Sequence, residues 1–386
     1  MPAPKLMIKL CIEGWRKINH SYAMVNQRQL IELSKFPILI KHKDIPFYNQ
    51  NWNEKNNANG FSEKDNQIIV NIKKPDEKEI FDIIYRISFP YNFEKSDSKK
   101  LFVFGTAEYQ NINGHYKNGN PKEEITKKNL NIITTSNWSH KGFIKAGFDP
   151  DKVFVVPCGV DCNIFNPITN ERKNQIKKKL GINSDEFIIS NIGAMTNNKG
   201  IDLLLAAFAL LREKKKKIKL ILKDQSNLYN IKAQNYLNNL KKTKYKNLIN
   251  EDLVKNIFFI SKNMNLSTLN ELYNISDCYV SPYRAEGFNI TPLEAAACGT
   301  PVIVTKGGST DDYFDSKLGL QIESKLIEKN DFTSLEPNIE SLVDCILKIM
   351  NNPKKFGNEQ SSNYIKDNFT WYSATKKLYK IFIKDV

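Results

Sequence analysis

Short apolar runs alternate with helix-patterned segments along most of the chain, and no other feature constrains the fold as strongly. "KLMIKLCIEG", "FPILIKH", "DIIYRIS", "KLFVFGT" and "NIITTS" are such runs in the first half, and "EFIISNIGA", "IKLILKD", "NIFFIS", "CYVSP" and "PVIVT" in the second. Strands buried on both faces of a parallel sheet read this way, because neither face alternates with water. Between them, "MVNQRQLIELSKF", "NWSHKGFIKAG" (with Gly147 at its C-cap), "GIDLLLAAFALLREKKKK", "LYNIKAQNYLNNLKKTKYKNLI" and "STLNELYNIS" read as helices. "QIIVNI" reads as one more strand, and the polar "NWNEKNNANGFSEKDN" before it as a surface excursion. The series closes at "KVFVVPCGVD" and restarts at "EFIISNIGA", so the 386 residues are expected to form two doubly wound α/β domains. The break is placed near "NIFNPITNERKNQI", residues 163–176. Ligands of such sheets gather at the C-terminal strand ends, and two sheets facing each other make a cleft.

Charge and cysteine usage exclude several classes. Lys plus Arg outnumber Asp plus Glu by 57 to 42, a net charge of +15. The excess sits in runs such as "ERKNQIKKKL", "REKKKKIKL" and "NLKKTKYKN". Aromatic residues do not interleave with these runs as a base-stacking platform requires, and no helix-turn-helix, RNP or zinc-finger pattern occurs, so no specific nucleic acid is expected. The runs read as solvated helix faces and ends, with a peripheral anionic membrane surface or an anionic substrate as the next reading. No apolar run reaches the ~18 residues of a membrane span, and the start lacks a secretory h-region, which points to the cytoplasm. The six cysteines are scattered without a Cys-x-x-Cys pair, as expected of reduced structural thiols. His20, His42, His115 and His140 show no metal-ligand spacing, and no Gly-x-Gly-x-x-Gly for a nicotinamide cofactor follows a strand.

The chemistry concentrates in residues 282–304, "PYRAEGFNITPLEAAACGTPVIV". Glu286 and Glu294 lie eight positions apart around a turn that opens a small-residue helix. One reading is structural: Thr291 as N-cap, Pro292 as first helical residue and Glu294 three after the cap make a T-x-x-E capping box, worth about 1 kcal/mol. The other is a ligand site. Glu286 and Gly287 follow the strand "CYVSP", and the backbone N–H groups of Gly287, Phe288, Asn289, Ile290 and Thr291 stand at a helix N-terminus suited to a diphosphate. A carboxylate on either side could accept hydroxyls of a sugar and of a ribose.

"EGFNITPLEAAACGTPVI" resembles the E-x7-E motif of retaining glycosyltransferases of the GT-B fold, in particular glycosyltransferase family four. "SNIGAMTNNKGIDLLLAAF" resembles that family's glycine-then-lysine loop, "TTSNWSHKGFIKAGFDPDKVFVVPCGVDCNIFNP" the end of its first domain, and "NFTWYSATKKLYKIF" its terminal helix. The likeness covers residues 130–386 well and 5–110 loosely. It implies two Rossmann-like domains facing across a cleft. The first, 1–165, would bind the acceptor. A linker, 166–183, would join it to a nucleotide-sugar domain, 184–365, and a terminal helix, 366–386, would cross back.

The resemblance also implies roles. Glu286 would hold hydroxyls of the transferred sugar, Glu294 the ribose, and Lys199 the diphosphate charge together with the Gly287–Thr291 backbone. The implied activity is a retaining, metal-independent transfer from a nucleotide-diphosphate sugar, UDP- or GDP-linked, to a hydroxyl of a glycan, lipid or protein, with no cofactor. One departure stands out: the lysine loop begins Gly193-Ala194 where the family commonly has Gly-Arg. Lys223, ending the strand "IKLILKD", is the candidate replacement cation, against a reading as a snorkelling surface lysine. In the first domain Gly14, Ser21 and Glu108 are candidate cleft residues. The rival readings are a nucleotide-sugar epimerase or phosphorylase on the same architecture, and a basic nucleic-acid or membrane-binding protein on a degenerate scaffold.

Overall fold

Six of the apolar runs form the first sheet: β1 (Ile8–Gly14), β2 (Ile38–Asp44), β3 (Ile83–Ile87), β4 (Lys100–Phe104), β5 (Leu130–Thr134) and β6 (Val153–Val155). The computed structural model describes residues 7–54, 60–117, 123, 125 and 129–384, so the middle of the polar excursion at 51–66 lies outside the described residues. The strands lie in the order β2-β1-β3-β4-β5-β6, and every pairing is parallel. The chain leaves β1 toward β2 and then returns past it to β3. The order therefore reverses between β1 and β3, where Gly14 and Ile87 end their strands. Gly14 allows the close approach there: a Cβ would stand 2.8 Å from the Ile87 carbonyl oxygen and 2.9 Å from Asn26 Nδ2.

Alternate residues of these strands, Leu10, Ile12, Ile83, Tyr85 and Leu101 among them, are fully buried. The helix Trp371–Ile383 belongs to this unit, which runs to Gly159 and resumes at Phe369. Its Phe382 ring packs 4.9 Å from Phe102 and 5.3 Å from Tyr85, and Tyr379 stacks on Phe36 at 4.6 Å.

"QIIVNI" is not a strand. It lies in a helix, Glu63–Asn71, whose start is capped by the Ser62 side chain accepting the Asp65 N–H at 3.1 Å. Glu63 and Asp65 add negative charge where the helix dipole favours it. Ile69 packs against Ile31 and Phe61 while Val70 is 67% exposed, so one helical face is buried. A capped start and that single face outweigh the strand preference of Ile and Val.

The second unit, Val160–Asn368, repeats the plan. Its strands are β7 (Phe187–Ile192), β8 (Ile218–Lys223), β9 (Ile257–Ile260), β10 (Cys278–Ser281), β11 (Val302–Thr305) and β12 (Gly319–Ile322). They run parallel in the order β12-β11-β10-β7-β8-β9, reversing between β7 and β10. The helix Ile201–Lys214 buries Leu204, Leu205, Ala207 and Phe208 completely, which fits its apolar residues on more than one face. Residues 228–249 do not form the continuous helical region expected of them. They break into the end of a helix at Ser226–Tyr229, a helix at Asn235–Leu240 and a turn at Lys246–Leu248. The Asp224 carboxylate takes the N–H groups of Ser226 and Ala233, each at 3.1 Å, and Asn230 turns to φ 53°, which interrupts the helix. An antiparallel hairpin, β13 (Ser324–Lys329) and β14 (Phe332–Pro337), was not legible as strands in the sequence.

No helix among the described residues is long and apolar enough to cross a membrane. No disulfide joins the six cysteines, five of which are buried. Burial, helped by Asp161, pushes the half-buried Cys162 thiol up to about 11, so little reactive thiolate forms there at neutral pH.

Candidate active site

At the β7/β10 reversal two loops meet, one after each strand. The first carries Lys199 on a single turn, Asn197–Lys199, that ends at Gly200 in the left-handed conformation, φ 68°. A Cβ at Gly200 would also collide with the Pro282 carbonyl, so glycine alone lets the lysine turn sit against the second loop. That loop, Pro282 to Asn289, carries Glu286. The Asn198 side chain donates to the Ala285 carbonyl at 2.9 Å, and the Arg284 N–H donates to the Asn198 carbonyl at 2.6 Å.

This stitching brings the two residues singled out for chemistry into contact. Lys199 Nζ donates to Glu286 Oε1 in an ion pair across 87 residues of sequence. The Glu286 side chain is 5% exposed and that of Lys199 25%, so the lysine is the partner that meets solvent.

The helix opening beside the pair is Ile290–Ala297, and it begins one residue before Thr291. The capping box does not form. Asn289 precedes the helix at φ 66°, ψ 72° and makes no side-chain cap bond. Its side chain donates instead to Ser281 Oγ at 2.9 Å, and its carbonyl accepts from the Tyr313 hydroxyl at 2.7 Å. Asn is among the few non-glycine residues that take this conformation readily, and the turn starts the helix earlier than the Thr-Pro pair suggests. Thr291 Oγ1 lies 2.7 Å from the Tyr279 hydroxyl. Asn289→Gly is expected to stay within about 1 kcal/mol of wild type, and Asn289→Val to lose about 1–3 kcal/mol to backbone strain; denaturant unfolding of the two variants measures both.

Glu294, one turn into the helix, accepts a hydrogen bond at 2.8 Å from the Tyr273 hydroxyl. Burial first, and then the Glu294 charge, hold the Tyr273 phenol well above its ordinary pKa, so it stays protonated and orients the carboxylate. Gly287 and Phe288 are buried, the latter 5.2 Å from the Tyr313 ring, whereas Ile290, Thr291 and Glu294 are half-exposed. Gly193 follows β7 and its N–H donates to the Lys223 carbonyl at 3.0 Å.

Lys223 is not a snorkelling surface lysine. It is buried beside Gly193, with Nζ bonded to the Asp224 carbonyl at 2.6 Å, and burial lowers its pKa against the opposing charge of Asp224. In the first unit Gly14, the exposed Ser21 and Glu108 lie on three segments at the C-terminal end of the parallel sheet. Ser21 opens a helix capped by His20, whose Nδ1 accepts the Tyr22 N–H at 3.2 Å. Burial lowers that imidazole to about 4, which keeps it neutral for the task. The Glu108 carbonyl accepts from Trp138 Nε1 at 2.6 Å.

Sequence reasoning missed Asn198, Asp202, Tyr273, Tyr279, Arg284 and Tyr313. Opposite charges three residues after Lys199 and two before Glu286 were a signal for Asp202 and Arg284. The tyrosines sit on other segments and gave none.

The family described as "Glycosyl transferases group 1" matches residues 172–368. The chain belongs to the group 1 glycosyl transferases. A D-inositol 3-phosphate glycosyltransferase of Arthrobacter sp. (strain FB24) is 30% identical over 176 residues, 45% of this chain and 39% of that relative. The chain thus spans well under half of that relative's length. Many solved structures share the fold of this group 1 chain, and two illustrate it. A glycosyltransferase from Rickettsia africae ESF-5 superposes with a TM-score of 0.67 at 19% identity, over 99% of this chain and 100% of the other. HepE of Anabaena in complex with UDP-glucose gives 0.67 at 13% identity over 97% and 99%. The fold is the two-domain, Rossmann-like α/β architecture of the GT-B glycosyltransferases, as expected.

Proposed function

We propose that this group 1 chain is a retaining, metal-independent glycosyltransferase of family four, moving a sugar from a nucleotide-diphosphate sugar to an acceptor hydroxyl. The observation that carries this reading is the Lys199–Glu286 pair, held at the strand reversal beside a helix N-terminus. In the transfer the bond from the anomeric carbon to the diphosphate oxygen breaks, and its electron pair leaves with the diphosphate. The Lys199 ammonium and the N–H groups of Gly287–Thr291 receive that charge, and one preorganised contact of this kind is worth about 3–4 kcal/mol of barrier. Lys223, with its amine on the Asp224 carbonyl, would act at longer range through its charge. The buried Glu286 carboxylate accepts hydroxyls of the departing sugar, and Glu294, oriented by Tyr273, the ribose. The acceptor oxygen attacks the same face of the sugar and passes its proton to a donor phosphate oxygen. We assign acceptor binding to the first unit, with Gly14, Ser21 and Glu108 as its candidate residues.

A UDP-sugar heads the list of donors, supported by the UDP-glucose bound to HepE of Anabaena. The acceptor is a hydroxyl of a glycan, lipid or protein. We place the enzyme in the cytoplasm, with its exposed lysines, such as Lys215 and Lys216 at a helix end, available to an anionic membrane surface.

The test is a panel of UDP- and GDP-sugars. One donor, at about a hundredfold excess over its Kd, is expected to raise Tm by about 5 °C or more. That donor should then turn over with an acceptor, and a chelator should change the rate by less than about twofold. A panel that shifts nothing would overturn the reading; loss of turnover on chelation would overturn its metal independence.

A further inference from the structure

We propose that Arg284 is a positioning residue: it fixes the spacing between Lys199 and Glu286 without touching the donor. The inference rests on the glycosyl-transfer reading above. Arg284 makes two parallel bonds to Asp202, Nη1 to Oδ1 at 2.8 Å and Nη2 to Oδ2 at 2.8 Å. A further N–H of Nη1 reaches the Asn197 carbonyl at 3.2 Å, and Nε donates to Glu336 on β14 at 3.3 Å. Its backbone is held as well: the N–H donates to the Asn198 carbonyl at 2.6 Å, and the carbonyl accepts the Leu335 N–H at 2.7 Å. One planar side chain thus ties together the turn that carries Lys199, the first turn of the helix after it, the loop that carries Glu286, and the hairpin. Lysine, a point charge with no fork, cannot reproduce that set of directions.

The electrostatics argue against a direct contact with the diphosphate. Arg284 faces two carboxylates, Asp202 and Glu336, so the three groups together carry a charge of −1 and do not attract an anion. Asp202 lies in the first turn of the Ile201–Lys214 helix, where the helix dipole favours a carboxylate. Arg284 is 16% exposed, with its fork turned to Asp202. Its product is geometry: two loops that meet 87 residues apart in sequence keep Lys199 and Glu286 in register.

The test compares wild type, Arg284→Met, Arg284→Lys, Asp202→Asn and the double variant Arg284→Met/Asp202→Asn with the donor found active. Misplacing a catalytic group by about 1 Å can cost about a hundredfold. Positioning therefore predicts a kcat for Arg284→Met lower by about ten- to a hundredfold, with donor KM within about threefold. Asp202→Asn should lose a similar factor, and the double variant no more than the worse single one, because both remove the same constraint. Arg284→Lys should fall between Met and wild type, and it carries the test if the methionine variant does not fold. A raised donor KM in Arg284→Met but not in Asp202→Asn would show direct donor contact and overturn the proposal. So would a lowered Tm with kcat per folded molecule unchanged. A wild type that turns over no donor would sink the transfer reading and this inference with it; a wild type that turns over beside an equally active Arg284→Met would sink this inference alone.

Discussion

Glu286→Gln is expected to lower kcat by about 10²–10³-fold and to leave donor KM within a few-fold, because the carboxylate's charge acts on the reacting sugar and not on the resting complex. The shape of the side chain is kept, and the amide oxygen still accepts from Lys199, so the fold around the β7/β10 reversal should survive. What changes is the charge, and one acceptor oxygen becomes an NH2 donor, at a position paired with the Lys199 ammonium. On the proposed reading, the donor diphosphate would compete for that ammonium and leave Glu286 to the sugar hydroxyls. Single-turnover rates and Tm, measured on the same preparations, check this. Retention of a third or more of the wild-type kcat would remove Glu286 from the chemistry.

Lys199→Met carries two consequences, and their separation is informative. If Lys199 is the cation of the diphosphate as proposed, its loss should lower kcat by about 10²–10³-fold. Glu286 is also left in a buried place without its partner. A fully buried pair broken this way loses about 3–5 kcal/mol; Lys199 is 25% exposed, so water offsets part of it and about 1–3 kcal/mol is expected here. Adding Glu286→Gln to Lys199→Met should then restore most of the stability and none of the activity. Urea unfolding beside donor turnover gives both readings. If the double variant is no more stable than Lys199→Met, the ion pair does not hold the loops as described.

Much of the fold was legible because strands buried on both faces advertise themselves as unbroken apolar runs, and β1–β5 and β7–β11 all came from such runs. The hairpin was not, because charges interrupt "SKLIEK" and its structure depends on β14 folding back against the Arg284 loop. The helix Glu63–Asn71 was misread because Ile68, Ile69 and Val70 mimic a strand, while its cap and its single buried face are tertiary facts. Lys199 and Glu286 could each be picked from local pattern, yet nothing in either segment says that they bond to each other. Thr291 was mistaken for the cap because Thr-Pro is a good start signal, whereas the turn at Asn289 and its bonds to Ser281 and Tyr313 begin the helix earlier.

The strand order of the second unit also sets the moment at which the proposed nucleotide site can first form. β7 pairs with β8 some 31 positions on, Phe187 opposite Ile218, whereas the contacts that bring β10 and its loop to β7 and its loop span 87 to 89 positions. Closing the longer loop costs only about 0.9 kcal/mol more, but contacts between distant segments slow the search. A chain that has built β7, β8 and β9 already owns Lys199 and has no carboxylate to set beside it. Donor affinity during refolding should therefore lag the gain of far-UV helical signal, and the sugar nucleotide becomes a clock for the arrival of β10.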